Sequence, residues 1–168
     1  AAHTKTYLYR NHNSPIDSPF DEKYYTRVPG RLDEVRMEAA ARQFVGTHDF
    51  RALCAAGSSA AAHGDTVRTI TSCHVTRRGD EVDIEVTADG YLYNMVRILA
   101  GTLCEAGAGR LDPAAVPGIL AGCDRSKAGP TLPAKGLFLK CVQYDDNGPC
   151  AQGPAAENAE CVRRSAQT

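Results

Sequence analysis

The sequence of 168 residues has no tryptophan and no long apolar run. Its apolar stretches, such as Ile98 to Leu103, fall far short of the roughly 20 residues that a membrane-spanning helix needs. The first ten residues lack the apolar core of a secretory signal. Seven cysteines occur without a C-x-x-C pair, which argues against a disulfide framework and a zinc ribbon. These absences predict a cytoplasmic protein with no membrane segment and no metal site.

The composition is that of an ordinary globular domain, with 43% hydrophobic and 23% charged residues. The 19 basic and 20 acidic side chains give a net charge of -1, so no basic excess points to a nucleic-acid partner. A basic face can still lie within a neutral total. Charge therefore leaves the class of partner open.

The succession of strand and helix patterns predicts an α+β fold. Strands are predicted where β-branched and aromatic residues cluster or alternate with polar ones, at Thr4–Arg10, Lys23–Val28, Thr66–Arg78, Glu81–Ala88 and Gly136–Tyr144. Helices are predicted from the Asp33 cap to about Val45, from Tyr91 to about Ala106, and after Asp112-Pro113. Turn-forming and small residues predict a turn at Asn11–Pro19 and a loop at Thr47–Asp65.

Gly79-Asp80 separates two strand patterns and predicts a β-hairpin. Because links of this kind dominate, we expect a largely antiparallel sheet with helices packed on one face. Residues 1–145 should form one domain. Residues 146–168 are mostly Gly, Pro, Ala and polar, and we expect a disordered tail there.

Histidine and cysteine neighbours offer little support for a metal or nucleophile site. His48-Asp49 and Cys73-His74 match no ligand spacing, and free cysteine is more often a small buried apolar residue than a ligand. We interpret His48-Asp49 as a structural turn after the first helix.

Arg97 and Tyr7 are the stronger candidates. On a helical wheel, Arg97 points away from the apolar stripe that contains Leu92, Val96 and Leu99. A lone Arg in that position usually lies on a solvated face. Here the surrounding face carries Tyr, Asn, Ala and Gly and no spread of charges, so the guanidinium could instead bind a carboxylate or phosphate. The ring of Tyr7 could pack across the sheet or stack on a base, whereas we interpret Tyr9 as a packing residue.

Five blocks in order resemble the C-terminal part of the TruA-type tRNA pseudouridine synthases. The resemblance covers about Thr4 to Tyr144, and its blocks are KTYLYR (Lys5–Arg10), GTHDF (Gly46–Phe50), DTVRTI (Asp65–Ile70), GYLYNMVRILAGTL (Gly90–Leu103) and DRSKAGPTLPAKGLFL (Asp124–Leu139). It implies an isomerase that converts uridine to pseudouridine in the anticodon stem-loop of tRNA, with no metal or organic cofactor, and a homodimeric enzyme. The target nucleotide is flipped out of the stack.

By the same resemblance, Tyr7 stacks on the flipped uracil or takes part in proton transfer, and Arg97 pairs with the nucleophilic Asp and helps to hold the nucleotide. That Asp lies in an Arg-Thr-Asp-x-Gly block upstream of the Tyr block, and the present sequence contains no such block. We therefore expect this chain to be inactive by itself. A non-catalytic RNA-binding module and a dimerisation module are the alternatives.

Overall fold

The computed structural model describes residues 2–14, 26–28 and 30–144. Within these ranges the chain forms six strands and four α-helices, which confirms the α+β prediction. The strands are β1 (Ala2–His12), β2 (Thr26–Arg27), β3 (Gly46–Asp49), β4 (Val67–Arg78), β5 (Glu81–Ala88) and β6 (Leu137–Tyr144). The helices are α1 (Glu34–Phe44), α2 (Ser59–His63), α3 (Met95–Gly107) and α4 (Val116–Gly122).

All six strands belong to one sheet, and β1 lies at its centre. On one side β1 pairs antiparallel with β5, which pairs with β4, which in turn pairs with β3. On the other side β6 pairs antiparallel with the first part of β1, and β2 pairs in parallel with Asn11 and His12. The β1–β2 contact is the one parallel pairing of the described residues, so the largely antiparallel sheet is confirmed.

The hairpin between β4 and β5 forms as predicted. Arg78 pairs with Glu81, and Gly79 between them adopts a left-handed φ of 60°, which glycine tolerates without strain. In β5, Val82, Ile84 and Val86 alternate along the strand and are fully buried. This alternation directs one face of the sheet into the core, where it meets α1 and α3.

Helix α1 begins where the sequence indicates. Asp33 caps it by accepting hydrogen bonds from the backbone amides of Val35 and Arg36. The helix ends at Phe44, one residue before the predicted end, because Val45 is extended. Gly46 is not simply a stop signal, since it is the first residue of β3.

The predicted start of the second helical pattern at Tyr91 is wrong by four residues. Asn94 has a left-handed backbone (φ 61°), which cannot continue a right-handed helix toward its N-terminus, so α3 begins at Met95. All residues of α3 except Arg97 and Glu105 are buried. The helix is therefore an internal one, packed against the sheet and α1, rather than a helix with one solvated face.

The loop prediction for Thr47–Asp65 is also wrong. The segment contains the end of β3, a 3-10 turn at Arg51–Leu53, and α2, whose N-terminus is capped by the Ser58 hydroxyl. These elements have only three to five residues each, so they give no clear periodicity. The helix after Asp112 starts with a 3-10 turn at Pro113–Ala115 and continues as α4.

Three predictions fall wholly or partly outside the described residues. Of the predicted turn at Asn11–Pro19, Asn11 and His12 belong to β1, and residues 15–19 lie outside. Of the predicted strand at Lys23–Val28, Thr26–Arg27 is a strand, and residues 23–25 lie outside. The expected tail at 146–168 lies outside as well. Among the described residues, no helix has the length and apolar character needed to cross a bilayer.

Candidate active site

A cavity of about 310 Å³ opens between β1, the segment that leads into α3, and the start of β6. Both residues singled out from the sequence line it, although 90 positions separate them in the chain. The full lining consists of Tyr7, Tyr91, Leu92, Tyr93, Asn94, Met95, Val96, Arg97, Ala134 and Leu137. The fold therefore brings the predicted tyrosine and the predicted arginine to one site.

Tyr7 reaches this cavity from β1, where it pairs with Val86 on β5 and Leu139 on β6. Its half-buried ring packs edge-to-face on Tyr91, with 4.9 Å between centroids and 89° between planes. Burial raises the pKa of Tyr7, so its hydroxyl is protonated at neutral pH. That hydroxyl makes no hydrogen bond to any residue that the structure describes.

Tyr91 supports the ring of Tyr7 from a fixed position. Its hydroxyl shares its hydrogen between the carbonyl oxygens of Lys5, at 2.6 Å, and Val86, at 2.9 Å. Burial raises the pKa of Tyr91 strongly. The hydroxyl of Tyr91 is thus engaged with β1 and β5, and of the two tyrosines only Tyr7 has a hydroxyl without a hydrogen-bond partner among the described residues.

Arg97 lies in the first turn of α3 and is half-buried. Its Nε donates to the carbonyl oxygen of Leu132 at 2.6 Å, and its Nη1 donates to Oδ1 of Asn94 at 2.9 Å. Nη2 makes no hydrogen bond to the described residues, and none of their carboxylates lies within ion-pair distance of the guanidinium. The site therefore holds a partly buried cation whose charge is not balanced by the described part of the chain.

The rest of the cavity wall was not predicted from the sequence. Leu137 is the first residue of β6, and Ala134 lies in the 3-10 turn Ala134–Gly136 directly before it. This turn lies very close to β1: a Cβ on Gly136 would be 2.8 Å from Cζ of Tyr9 and 2.9 Å from the Arg10 carbonyl oxygen. Glycine allows this approach. Tyr93, at 61% exposure, stands at the rim. Its position immediately before Asn94-Met95, in the block that also carries Arg97, was the one available sequence signal.

Tyr9 has the packing role predicted for it. It is fully buried, its hydroxyl donates to the Pro133 carbonyl oxygen at 2.6 Å, and it accepts from the Thr26 hydroxyl at 2.6 Å. Burial raises the pKa of Tyr9 to about 12. Tyr9 consequently ties β1 to the segment before β6 instead of serving the cavity.

The histidine and cysteine neighbours are structural. Asp49 accepts hydrogen bonds from the Thr66 hydroxyl at 2.7 Å and the Arg51 amide at 3.0 Å, which lowers its pKa. The His48 ring packs edge-to-face against Phe50, and its Nε2 lies 3.0 Å from the Val45 carbonyl oxygen. The predicted turn is wrong, because His48 and Asp49 belong to strand β3 and pair with β4. Cys73 is buried, and burial raises its pKa. Among the described residues, no group of three or more His, Cys, Asp or Glu side chains is placed to hold a metal ion.

The chain thus combines an α+β fold with a cavity that holds a tyrosine and an arginine without a described counter-charge. The family model for tRNA pseudouridine synthases matches residues 40–145, and the chain belongs to that family.

Within this family, the curated relatives show that the chain is of the TruA type. The chain is 44% identical over 140 residues to tRNA pseudouridine synthase A of Brevibacillus brevis, which covers 83% of this chain and 56% of the relative. It is 43% identical over 141 residues to tRNA pseudouridine synthase A 2 of Clostridium tetani, which covers 84% and 56%. For tRNA pseudouridine synthase A of Moorella thermoacetica the identity is 43% over 143 residues, covering 85% and 57%. The chain thus spans little more than half the length of these relatives.

Proposed function

We propose that this chain supplies the C-terminal half of the active site of a tRNA pseudouridine synthase, which isomerises uridine in the anticodon stem-loop of tRNA. The observation that carries the proposal is the pairing, in one cavity, of a guanidinium without a described counter-charge and a tyrosine hydroxyl without a described partner. The family and its relatives support the reaction class.

In this proposal Arg97 binds the nucleophilic carboxylate. A half-buried guanidinium with a free Nη2 favours an anion that brings its own negative charge, because charge-assisted hydrogen bonds are strongest where water is partly excluded. The printed sequence has no Arg-Thr-Asp-x-Gly block, so the carboxylate would come from polypeptide outside this chain. Arg97 would keep that carboxylate ionised and ready to act at C1′ of the ribose.

The reaction exchanges one glycosidic bond for another and needs no external reagent. The bond from C1′ to N1 of uracil breaks, the ring turns, and C1′ joins C5. C5 then loses its proton, and N1 ends with one, so the product is an isomer of the substrate. The flipped uracil would occupy the cavity against the ring of Tyr7.

Tyr7 can contribute in two ways. Its ring, fixed by Tyr91, offers a stacking surface. Its hydroxyl is protonated at rest because burial raises its pKa, so it can take the C5 proton only if it passes its own proton on in the same step. Both roles fit a hydroxyl that has no described partner.

The decisive experiment measures tritium release from tRNA labelled at C5 of uridine. We expect release with the full-length enzyme and none with this chain alone, since the chain lacks the nucleophile. Arg97→Ala in the full-length enzyme should abolish release. Arg110→Ala is the matched control, because Arg110 is exposed and pairs with Glu105 away from the cavity. Undiminished release by Arg97→Ala would remove Arg97 from the mechanism.

The alternatives are separated by binding and by mass. A non-catalytic RNA-binding module would bind tRNA with a steep salt dependence, owing to released counterions, and the full-length protein would still release no tritium. A dimerisation module would give a dimer by light scattering without affinity for tRNA. For the enzyme itself we propose that it binds tRNA, forms a homodimer, is cytoplasmic and has no membrane partner. A monomeric mass for the full-length protein would contradict the homodimer.

A further inference from the structure

Two groups from different parts of the chain hold the guanidinium of Arg97. Leu132 accepts from Nε at 2.6 Å, and Asn94 accepts from Nη1 at 2.9 Å. The backbone amide of Leu132 also donates to the carbonyl oxygen of Arg97 at 3.3 Å. Because a guanidinium is planar, fixing Nε and Nη1 fixes the plane of the whole group and leaves Nη2 as the end available to an anion.

The side chain of Asn94 does not cap α3, although Asn94 occupies the N-cap position. At that position an Asn side chain normally accepts from the first free amides of the helix. Asn94 makes no such bond, and its backbone is left-handed (φ 61°, ψ 9°), one of two non-glycine residues with positive φ in the described ranges. Its Oδ1 goes to Arg97 instead. Asn94 thus adopts a left-handed backbone and makes no capping bond. Both features indicate that its side chain serves to accept the hydrogen bond from Arg97.

The segment Gly129–Leu132, which carries the second acceptor, is locked onto α3. A Cβ on Gly101 would lie 1.8 Å from the carbonyl oxygen of Pro130, and a Cβ on Gly129 would lie 2.5 Å from the carbonyl carbon of Gly101. Here two backbones touch. The Thr102 hydroxyl accepts from the Gly129 amide at 2.9 Å and donates to the Ile98 carbonyl oxygen at 2.8 Å. The position of the Leu132 carbonyl therefore follows from the packing of α3.

We propose that Asn94 and the segment Gly129–Leu132 are positioning groups that orient Arg97 for the carboxylate that enters the cavity. The inference rests on the proposed function of Arg97 and adds the parts of the chain that set its direction. Loss of either group should lower turnover, because Arg97 would sample orientations that miss the carboxylate. Binding of tRNA should change little, because neither group has to touch the RNA backbone to do this.

The kinetic test uses the full-length enzyme. Asn94→Gly keeps a left-handed backbone without strain and removes Oδ1, so we expect kcat to fall about tenfold to a hundredfold with KM for tRNA within about twofold. Thr102→Val removes the acceptor for the Gly129 amide and should lower kcat about tenfold, and Thr102→Ser should restore it. The matched control is Thr47→Val, which removes an exposed hydroxyl paired with Thr69. It should leave kcat unchanged.

A second measurement does not depend on activity. In the full-length protein labelled with ¹⁵N-arginine, the Nε–H signal of Arg97 should shift and exchange faster with solvent in Asn94→Gly and Thr102→Val, but not in Thr47→Val. If Arg97→Ala keeps full activity, the proposed function is wrong. If Arg97→Ala is inactive while Asn94→Gly and Thr102→Val keep wild-type kcat, or if the Nε–H signal is unchanged, the positioning inference is overturned. Should Thr102→Val fail to fold in a thermal melt, Asn94→Gly alone decides.

Discussion

Adding a single methyl group at Gly101 should disrupt the support of the candidate site. The new Cβ would lie 1.8 Å from the Pro130 carbonyl oxygen and 2.9 Å from its carbonyl carbon, whereas ordinary contact begins near 3.4 Å. Both sides of this contact are backbone, so no side chain can turn away. The segment after Gly129 has to withdraw from α3 by well over an ångström, and the bond between Thr102 and the Gly129 amide is lost with it.

The magnitude follows from three contributions. Overpacking of this severity costs about 3 kcal/mol, and the buried amide of Gly129 left without its acceptor costs about 1–3 kcal/mol. The higher helix propensity of Ala returns about 1 kcal/mol. The free energy of unfolding should therefore fall by about 3–5 kcal/mol, a large part of the 5–15 kcal/mol typical of a domain.

Urea denaturation of Gly101→Ala against wild type measures this change directly. Gly118→Ala is the matched control: Gly118 also lies in a helix, but a Cβ there meets nothing within 4 Å, so the same substitution should raise stability by up to about 1 kcal/mol. If Gly101→Ala proves as stable as wild type, the backbone contact between α3 and the segment Gly129–Leu132 is not as described, and this contact does not set the position of the Leu132 carbonyl oxygen.

Three other outcomes are expected. Tyr7→Phe should keep tRNA affinity and lower tritium release about a hundredfold, because the ring stays and the free hydroxyl goes; wild-type release would assign Tyr7 to stacking alone. Asp33→Ala should lower the free energy of unfolding by about 1 kcal/mol in urea, since two amides of α1 lose their cap, and an unchanged midpoint would contradict the cap. The pKa of Asp49 is lowered from 3.8, so its contribution to stability is present above that pH and is lost as the pH falls through the folded pKa. The urea midpoint of Asp49→Asn should therefore depend less on acid than that of wild type. Equal acid sensitivity of the two proteins would contradict this contribution of Asp49.

The elements that the sequence predicts well are those whose signals are local. The hairpin of β4 and β5 needs only an alternating pattern and a glycine that can take positive φ, and both lie within the segment itself. Helix α1 carries its own cap at Asp33. Where a signal is absent or misleading, prediction fails: Leu92 extends the apolar stripe of α3 backward, and nothing in the pattern shows that Asn94 is left-handed. Strand β3 has four residues and α2 has five, which is too few for a period to stand out.

In the candidate site, too, the residues with a local sequence signal could be predicted and the others could not. Tyr7 and Arg97 could be found because each lies in a recognisable block, but their meeting in one cavity depends on how β1 packs beside α3, which no local pattern contains. Leu132 contributes a backbone carbonyl oxygen, and a carbonyl looks the same at every residue of a sequence. Asn94 was visible only as a neighbour of Arg97, although its conformation marks it as the residue that faces the guanidinium.

Holding Arg97 through neutral acceptors has a chemical consequence. A carboxylate in place of Asn94 or the Leu132 carbonyl would orient the guanidinium equally well, but it would also neutralise the charge and compete with an incoming anion. An amide oxygen and a carbonyl oxygen fix the plane of the group and leave its charge available. The arrangement suits a residue that must receive a carboxylate from another segment, since the attraction persists until that segment arrives. Asn94→Asp tests this reasoning in the full-length enzyme: it keeps the acceptor and should keep the Nε–H signal of Arg97, yet it should lower kcat because the new charge occupies the guanidinium. An Asn94→Asp enzyme with wild-type kcat would show that the neutrality of the acceptors is immaterial.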